Sequence, residues 1–155
     1  MVTAGDKIID SRDIISRIEE LETERESLVE EVTEAREALS EYEPDEEENE
    51  AALTELKAAL VDAACDLDEW DGADELKSLK EFAEEGENST SEWSYGATLI
   101  HRDYFTEYCQ DLCEEIGDLP KGIPSYIVID WDATADNLLH DYSSLTWDGE
   151  TYYVR

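Results

Sequence analysis

The first third of the chain carries apolar residues at a seven-residue period, which is the pattern of a coiled-coil helix. Ser11 is the expected N-cap of this helix, and Pro44 is expected to end it after residue 43. Arg25 interrupts the apolar seam once. The seam consists of Ile14, Leu21, Leu28, Ala35 and Tyr42, with Ile18, Val32 and Leu39 in the second heptad position.

A second helix is predicted from about Asp45 to Trp70, because its apolar residues alternate spacings of three and four. Glu46–Glu48 would solvate the connection between the two helices. Because this connection is short, the two helices should lie antiparallel to each other. Asp71-Gly72 breaks the chain before a shorter predicted helix, Asp74–Glu85. The inner positions are Leu53, Leu56, Leu60, Ala63, Leu67 and Trp70 in the second helix, and Leu76, Leu79 and Phe82 in the third.

The chain after residue 90 alternates short extended segments with amphipathic helices. We expect a strand in Tyr95–Ile100, a helix over Asp103–Ile116 and an extended segment at Tyr126–Ile129. Asp130 should cap a further helix, and Asp148-Gly149 is a strong hairpin turn between two strands. The predicted fold class is therefore α+β and mostly α, with a helical hairpin followed by a small α+β domain that ends in a β-hairpin.

Composition places a boundary between the two parts. Eleven of the 14 aromatic residues lie from Trp93 onward, and the stretch GENSTS that begins at Gly86 is rich in turn-forming residues. We therefore expect an acidic hairpin with a short helix in residues 1–85, a linker at 86–92 and the α+β domain in 93–155.

The net charge of the chain is the most informative feature of its composition. The 155 residues include 44 Asp and Glu but only 11 Lys and Arg, which gives a net charge of −33. The excess is global, because residues 1–50, 51–100 and 101–155 each contain at least 12 acidic residues and no more than five basic ones. Phosphate backbones and anionic membranes repel such a chain, so direct nucleic-acid binding and membrane binding are not expected.

Targeting and redox signals are weak. No run of about 18 apolar residues indicates a transmembrane helix, and the first ten residues do not resemble a signal peptide. The chain has three cysteines, an odd number that argues against a disulfide framework. These features favour a cytoplasmic location.

Candidate catalytic chemistry is sparse. Cys109 and Cys113 lie four residues apart on one predicted helix, in acidic surroundings that disfavour a thiolate. Combining them with His101 and His140 would give four zinc ligands, but neither spacing is specific. No EF-hand loop, phosphate-binding glycine loop or nucleophile motif occurs, and carboxylates are too abundant to mark an acid–base pair. We therefore expect no enzyme activity, no metal and no cofactor.

The carboxylates themselves are the remaining signal. Glu22, Glu26, Glu30 and Glu34 are successive i, i+4 neighbours, and a similar stripe follows His101, with members about 6 Å apart along the helix. Such like-charge pairs each destabilise a helix by about 0.2–0.5 kcal/mol. A net charge of −33 equals the phosphate charge on about 56 Å of duplex DNA, so the chain has enough charge to imitate DNA.

A less specific explanation is that the acidity only solvates the surface, as in halophilic proteins. The seam Ile14–Tyr42 would then make the chain a coiled-coil adaptor or assembly protein. A homodimer formed through the same seam is a third possibility, and it is compatible with DNA mimicry.

The C-terminal third contains an ordered set of short motifs. They are Asp103-Tyr104-Phe105, Tyr108, Glu114-Glu115-Ile116, Leu119-Pro120, Ile129-Asp130-Trp131, Ala135, Leu138, Asp141-Tyr142 and Gly149. In this order they resemble the C-terminal part of ArdA-type antirestriction proteins over about 50 residues. The opening Ile9–Asp13 resembles a wider group of phage and plasmid proteins with this tail. The first 90 residues do not show the β-containing N-terminal domains of ArdA.

The resemblance implies a DNA mimic that occupies the DNA site of a type I restriction-modification enzyme and protects incoming DNA. The alternative within this class is an anti-CRISPR-type mimic. Partner-binding carboxylates are expected on both parts of the chain. They are Glu22, Glu26, Glu30, Glu34, Asp103, Glu107, Asp111, Glu114, Glu115, Asp118, Asp130, Asp132, Asp136 and Asp141.

Overall fold

The computed structural model describes residues 2–43 and 49–155, and it confirms an α+β protein that is mostly helical. Two 3-10 turns, Arg102–Tyr104 and Leu139–Asp141, flank two of the helices. The elements are β1 (Ile8–Asp10), α1 (Ser11–Glu41), α2 (Asn49–Asp68), α3 (Gly72–Ser89), α4 (Trp93–Gly96), β2 (Thr98–His101), α5 (Phe105–Glu115), α6 (Trp131–Leu138), β3 (Ser143–Trp147) and β4 (Glu150–Val154).

The chain forms two compact units, and their boundaries differ from the predicted ones. The first unit consists of Met1–Arg17 and Ser78–Arg155, and the second of Ile18–Lys77. The predicted linker 86–92 is largely helical, because α3 continues through Gly86. The N-terminal residues belong to the first unit because β1 pairs with β2, a long-range contact that composition does not reveal.

All four strands of the first unit are antiparallel, in the order β1-β2-β4-β3. The Asp148-Gly149 turn joins β3 to β4 as predicted, and Asp148 has a positive φ of 48°. Side chains alternate across the sheet, so cross-strand partners share a face. His101 and Tyr152 therefore lie on one face, and Ile100 and Tyr153 lie on the other.

An aromatic cluster fills the first face of this sheet. Phe82 of α3 stacks on Trp147 with ring centroids 5.3 Å apart and meets Trp93 edge-on at 5.9 Å. Tyr152 lies 6.1 Å from Phe82. Each of these aromatic side chains is at most 5% exposed, so the cluster supplies a large share of the buried apolar area of this unit.

A second cluster covers the opposite face, where α5 and α6 pack against each other. Its buried members are Ile100, Phe105, Cys109 and Ala135. Phe105 also meets the ring of Tyr153 edge-on at 5.0 Å. The sheet thus carries helices on both faces, and α5 and α6 form the outer layer on this side.

Burial in the second unit follows the predicted apolar stripes. Leu21 of α1 is 1% exposed, and Arg25 is exposed. Residues 44–48, where the connection between the two helices is predicted, lie outside the described residues, so the antiparallel hairpin and the coiled-coil geometry stay predictions. The half-buried stripe positions are Ile18, Leu28, Val32, Ala35 and Leu39 of α1, and Leu53, Leu56, Leu60, Ala63 and Leu67 of α2.

The start of α1 is tied to the segment before β2. Asp10, and not Ser11 as predicted, caps α1, because its Oδ1 accepts the Arg12 N–H at 2.9 Å. The fully buried Ser11 instead donates its hydroxyl to the Trp93 carbonyl at 2.6 Å. The same hydroxyl accepts the Ala97 N–H at 2.7 Å.

Replacing Ser11 with alanine should lower the free energy of unfolding by about 1–3 kcal/mol, because it leaves two buried backbone groups without their partner. Chemical denaturation measures the change. The matched control is Ser16→Ala at an exposed position of α1, which should stay within about 0.5 kcal/mol of the parent. Equal effects of the two substitutions would contradict this role of Ser11.

Gly86 is required inside α3 because the Trp93 ring lies against it. A Cβ on Gly86 would lie 2.1 Å from a ring carbon of Trp93, which is only 1% exposed and has little room to move. Gly86→Ala should therefore destabilise the protein by about 1–3 kcal/mol, although alanine is the better helix former. Denaturation beside the exposed control Glu84→Ala tests this, and a stabilised Gly86→Ala variant would refute it.

Candidate polyanionic surface

Ten of the predicted carboxylates lie in the first unit, on the layer formed by α5, α6 and the residues beside them. Every one of the ten is exposed. Because α5 and α6 pack together, their carboxylates belong to one helical layer. We call this set the α5–α6 acidic surface: Asp103, Glu107, Asp111, Glu114, Glu115, Asp118, Asp130, Asp132, Asp136 and Asp141.

The remaining four predicted residues, Glu22, Glu26, Glu30 and Glu34, lie on α1 within the second unit. All four are exposed. By sequence the second unit has 24 acidic and four basic residues, against 20 and seven in the first. The acidic excess is therefore present on both units.

Amphipathicity orients α5. Phe105 and Cys109 of this helix point into the core, and Glu107 and Asp111 are exposed between and beyond them. Successive residues of a helix are 100° apart, so two buried positions four residues apart lie on the same face. That face points into the core, and the acidic positions on the other face point outward.

His101 anchors the chain just before α5. Its Nδ1 accepts the Asp103 N–H at 3.2 Å and so caps the 3-10 turn that leads into the helix. The Nε2–H then donates to Glu150 at 2.8 Å. The ring is 8% exposed and meets Tyr152 edge-on, so the start of the acidic surface is held by the sheet.

Few cations oppose the α5–α6 acidic surface. Arg102 lies 3.2 Å from Asp103, and Lys7 lies 3.9 Å from Glu107. Exposed pairs of this kind contribute about 0–1 kcal/mol each. Even if each of the 11 Lys and Arg paired with a separate carboxylate, three quarters of the 44 acidic residues would have no cation of their own.

The ends of the helices also contain acidic residues but few basic ones. Each of the five longer helices of the described chain has an acidic residue in its first turn and no basic residue in its last turn. The helix dipole favours the first arrangement, but it also favours cations at the C-terminus. Helix stability therefore does not explain why lysine and arginine are scarce.

The pKa of Tyr104 is affected by the negative charges of the α5–α6 acidic surface. Partial burial raises the pKa of its phenol, and the charges of Glu107 and Asp111 raise it further. The Lys7 ammonium lies 4.7 Å from the ring centroid. Sequence reasoning missed this contact because residues 7 and 104 meet only through the pairing of β1 with β2.

The three cysteines differ in their exposure. Cys65 is exposed, Cys109 is buried and Cys113 is half-buried. Burial, followed by the neighbouring Cys113, raises the pKa of the Cys109 thiol to about 11, so burial and not the carboxylates is the main cause. Across residues 2–43 and 49–155, no three His, Cys, Asp or Glu side chains are placed to hold a metal ion.

Two clefts of the first unit have linings without a histidine or cysteine. One, of about 300 Å³, includes Glu92, Tyr108, Tyr142 and Arg155, and the other, of about 360 Å³, includes Arg102. Burial raises the pKa of Tyr142, and the nearby Tyr108 adds to that effect. Among the helices of the described chain, none is long and apolar enough to cross a membrane.

Neutralising the two carboxylates beside Tyr104 should lower its pKa. In a Glu107→Gln, Asp111→Asn variant the pKa should fall toward the usual tyrosine value without reaching it, because partial burial remains. Tyrosine carbon NMR against pH measures this. The control, Asp132→Asn with Asp136→Asn, removes equal charge from α6, so an equal fall in the control would show only a change in net charge.

No protein-family model, curated protein or solved structure matches this chain. The resemblance of its C-terminal third to ArdA-type proteins therefore stays a prediction.

Proposed function

We propose that this protein is a DNA mimic that occupies the DNA-binding site of a host defence enzyme. The observation that carries the proposal is the exposure of all 14 carboxylates predicted to bind a partner, on helices and the residues beside them, with few opposing cations. Direct binding to nucleic acid or to a membrane is not part of this function.

The mechanism is competition. A DNA-binding cleft lined with Lys and Arg attracts a folded polyanion by the same electrostatics and counterion release that attract DNA. Carboxylates on packed helices are already positioned, so binding orders fewer groups than it would with an unstructured acidic tail. Once the cleft is filled, DNA is excluded without any covalent chemistry, and no enzyme activity or cofactor is required.

The charge is sufficient for this role. The second unit alone has a sequence charge equal to that of about 34 Å of duplex DNA, which is about one helical turn. Helix α1 has 31 residues and is therefore about 46 Å long. Charge and length are of the order that a protein–DNA footprint requires.

Type I restriction-modification enzymes are the proposed target, on the resemblance of the C-terminal third to ArdA-type proteins. A CRISPR surveillance complex is the alternative within the same class. The protein would then be an anti-defence inhibitor of phage or mobile-element origin that acts in the host cytoplasm.

A function of another class is favoured by the apolar stripe of α1. Half-buried seam positions such as Leu28 and Leu39 are of the type that pairs coiled coils, and Val29 is 38% exposed beside them. An adaptor or homodimer held by such a seam would bind almost equally at low and high salt, whereas a DNA mimic would not.

The test uses a purified type I restriction-modification enzyme and labelled duplex DNA, with displacement followed by fluorescence anisotropy. The protein should displace DNA, and its affinity should fall steeply with salt. Neutralising Asp103, Glu107, Asp111 and Glu114 together should weaken binding at least tenfold and reduce the slope of log affinity against log salt by about three to four. Glu107→Gln alone should have little effect, because the charge is distributed.

A matched control neutralises Glu55, Asp62, Asp66 and Asp68 of α2, which are also exposed. Equal losses in both quadruple variants would mean that net charge governs and that the α5–α6 acidic surface has no special role. Failure to displace DNA at any salt concentration would contradict the proposed target. If Glu107→Gln alone abolished inhibition, binding would depend on one specific contact and not on distributed charge.

A further inference from the structure

The loop between α5 and α6 exposes three consecutive large apolar side chains. Tyr126 is 83% exposed, Ile127 52% and Val128 87%. We call these three residues the apolar segment. Isolated exposed apolar side chains are ordinary, but a run of three on a water-soluble surface is costly unless it has a function.

The backbone of the segment is not paired with any strand of the sheet. The sequence predicts an extended segment at Tyr126–Ile129, and the structure leaves these residues outside the four-stranded sheet. The Ile127 N–H donates to the Pro124 carbonyl at 2.9 Å, which closes a turn. Helical packing on either side does not cover the three side chains, so they are available to another molecule.

The charge pattern indicates what that molecule is. Residues 119–129 contain no acidic residue and one lysine, whereas acidic residues make up 44 of the 155 positions of the chain. This is the longest stretch without an acidic residue. Carboxylates border it on both sides in sequence, at Glu114, Glu115 and Asp118 before it and at Asp130, Asp132 and Asp136 after it.

An apolar centre with a charged rim is the usual composition of a protein–protein contact. We propose that the apolar segment inserts into an apolar groove bordered by Lys and Arg on the protein that the α5–α6 acidic surface binds. This inference rests on the proposed function and adds an anchor that DNA lacks. Its contribution is independent of salt, so it favours the mimic over DNA where ionic attraction is screened.

A second copy of the chain is a poorer occupant. A symmetric dimer built on this segment would bring the same rim from each copy together. Carboxylate would then face carboxylate around the contact, which is unfavourable in a chain of net charge −33. A basic rim on a different protein complements the carboxylates instead.

The test compares the parent with a Tyr126→Ser, Val128→Ser variant in binding to the purified type I enzyme across a range of salt concentrations. Affinity should fall about tenfold or more at every salt concentration, with an unchanged salt slope. Tyr95→Ser is the control, because Tyr95 is 79% exposed but lies in α4. Circular dichroism and thermal unfolding should be the same for all three proteins.

Protamine serves as a second probe, because it is a polycation without a folded apolar groove. It should bind the parent and the double variant equally. Equal affinity of both proteins for the enzyme, or an equal loss with Tyr95→Ser, would overturn the anchor while leaving the mimic intact. Absence of any parent binding to the enzyme would instead overturn the proposed function. A parent dimer that the substitutions dissociate in sedimentation would make the segment a self-contact and overturn the proposal.

Discussion

Self-repulsion is the constraint on which the rest of this structure depends. A net charge of −33 opposes any compact state, and the carboxylates spaced four apart on α1 oppose the helix itself. Burial of apolar surface must offset both effects. The first unit achieves this with aromatic rings, among them the stacked pair of Phe82 and Trp147.

The small sheet connects this core to the α5–α6 acidic surface. One face of β2 contributes Ile100 to the cluster under α5 and α6, and its last residue, His101, caps the turn that starts the acidic layer. The carboxylates of α5 are therefore attached to the most buried part of the unit. Such anchoring distinguishes a folded polyanion from an acidic tail, which would lose more conformational entropy on binding.

Distributed charge and a local apolar anchor are complementary ways to bind. Carboxylates spread over two units give attraction at a distance and a strong dependence on salt, but they select any cationic cleft. Three exposed apolar side chains act only at contact and only where a groove accepts them. Under the proposed function, the carboxylates would attract the protein to a DNA-binding cleft, and the apolar segment would add a contact that DNA cannot make.

Local signals determined much of this protein from sequence alone. Helices α1 and α2, the cap at Asp130 and the Asp148-Gly149 turn depend on neighbours in the chain, and the structure has each of them where the local pattern predicts it. The exposure of those predicted carboxylates that lie on α1, α5 and α6 follows for the same reason, since periodicity fixes the position of a charge on an amphipathic helix.

Tertiary structure decided what depends on residues distant in sequence. The pairing of β1 with β2 brings Lys7 to Tyr104 and moves the N-terminus into the first unit. Ser11 bonds to Trp93 and Ala97 instead of capping its own helix, and Gly86 lies within α3 because a tryptophan ring occupies the space of its missing side chain. The sequence of Tyr126–Ile129 predicts an extended segment, but a strand forms only where its backbone pairs with another strand, and the four-stranded sheet does not include this segment.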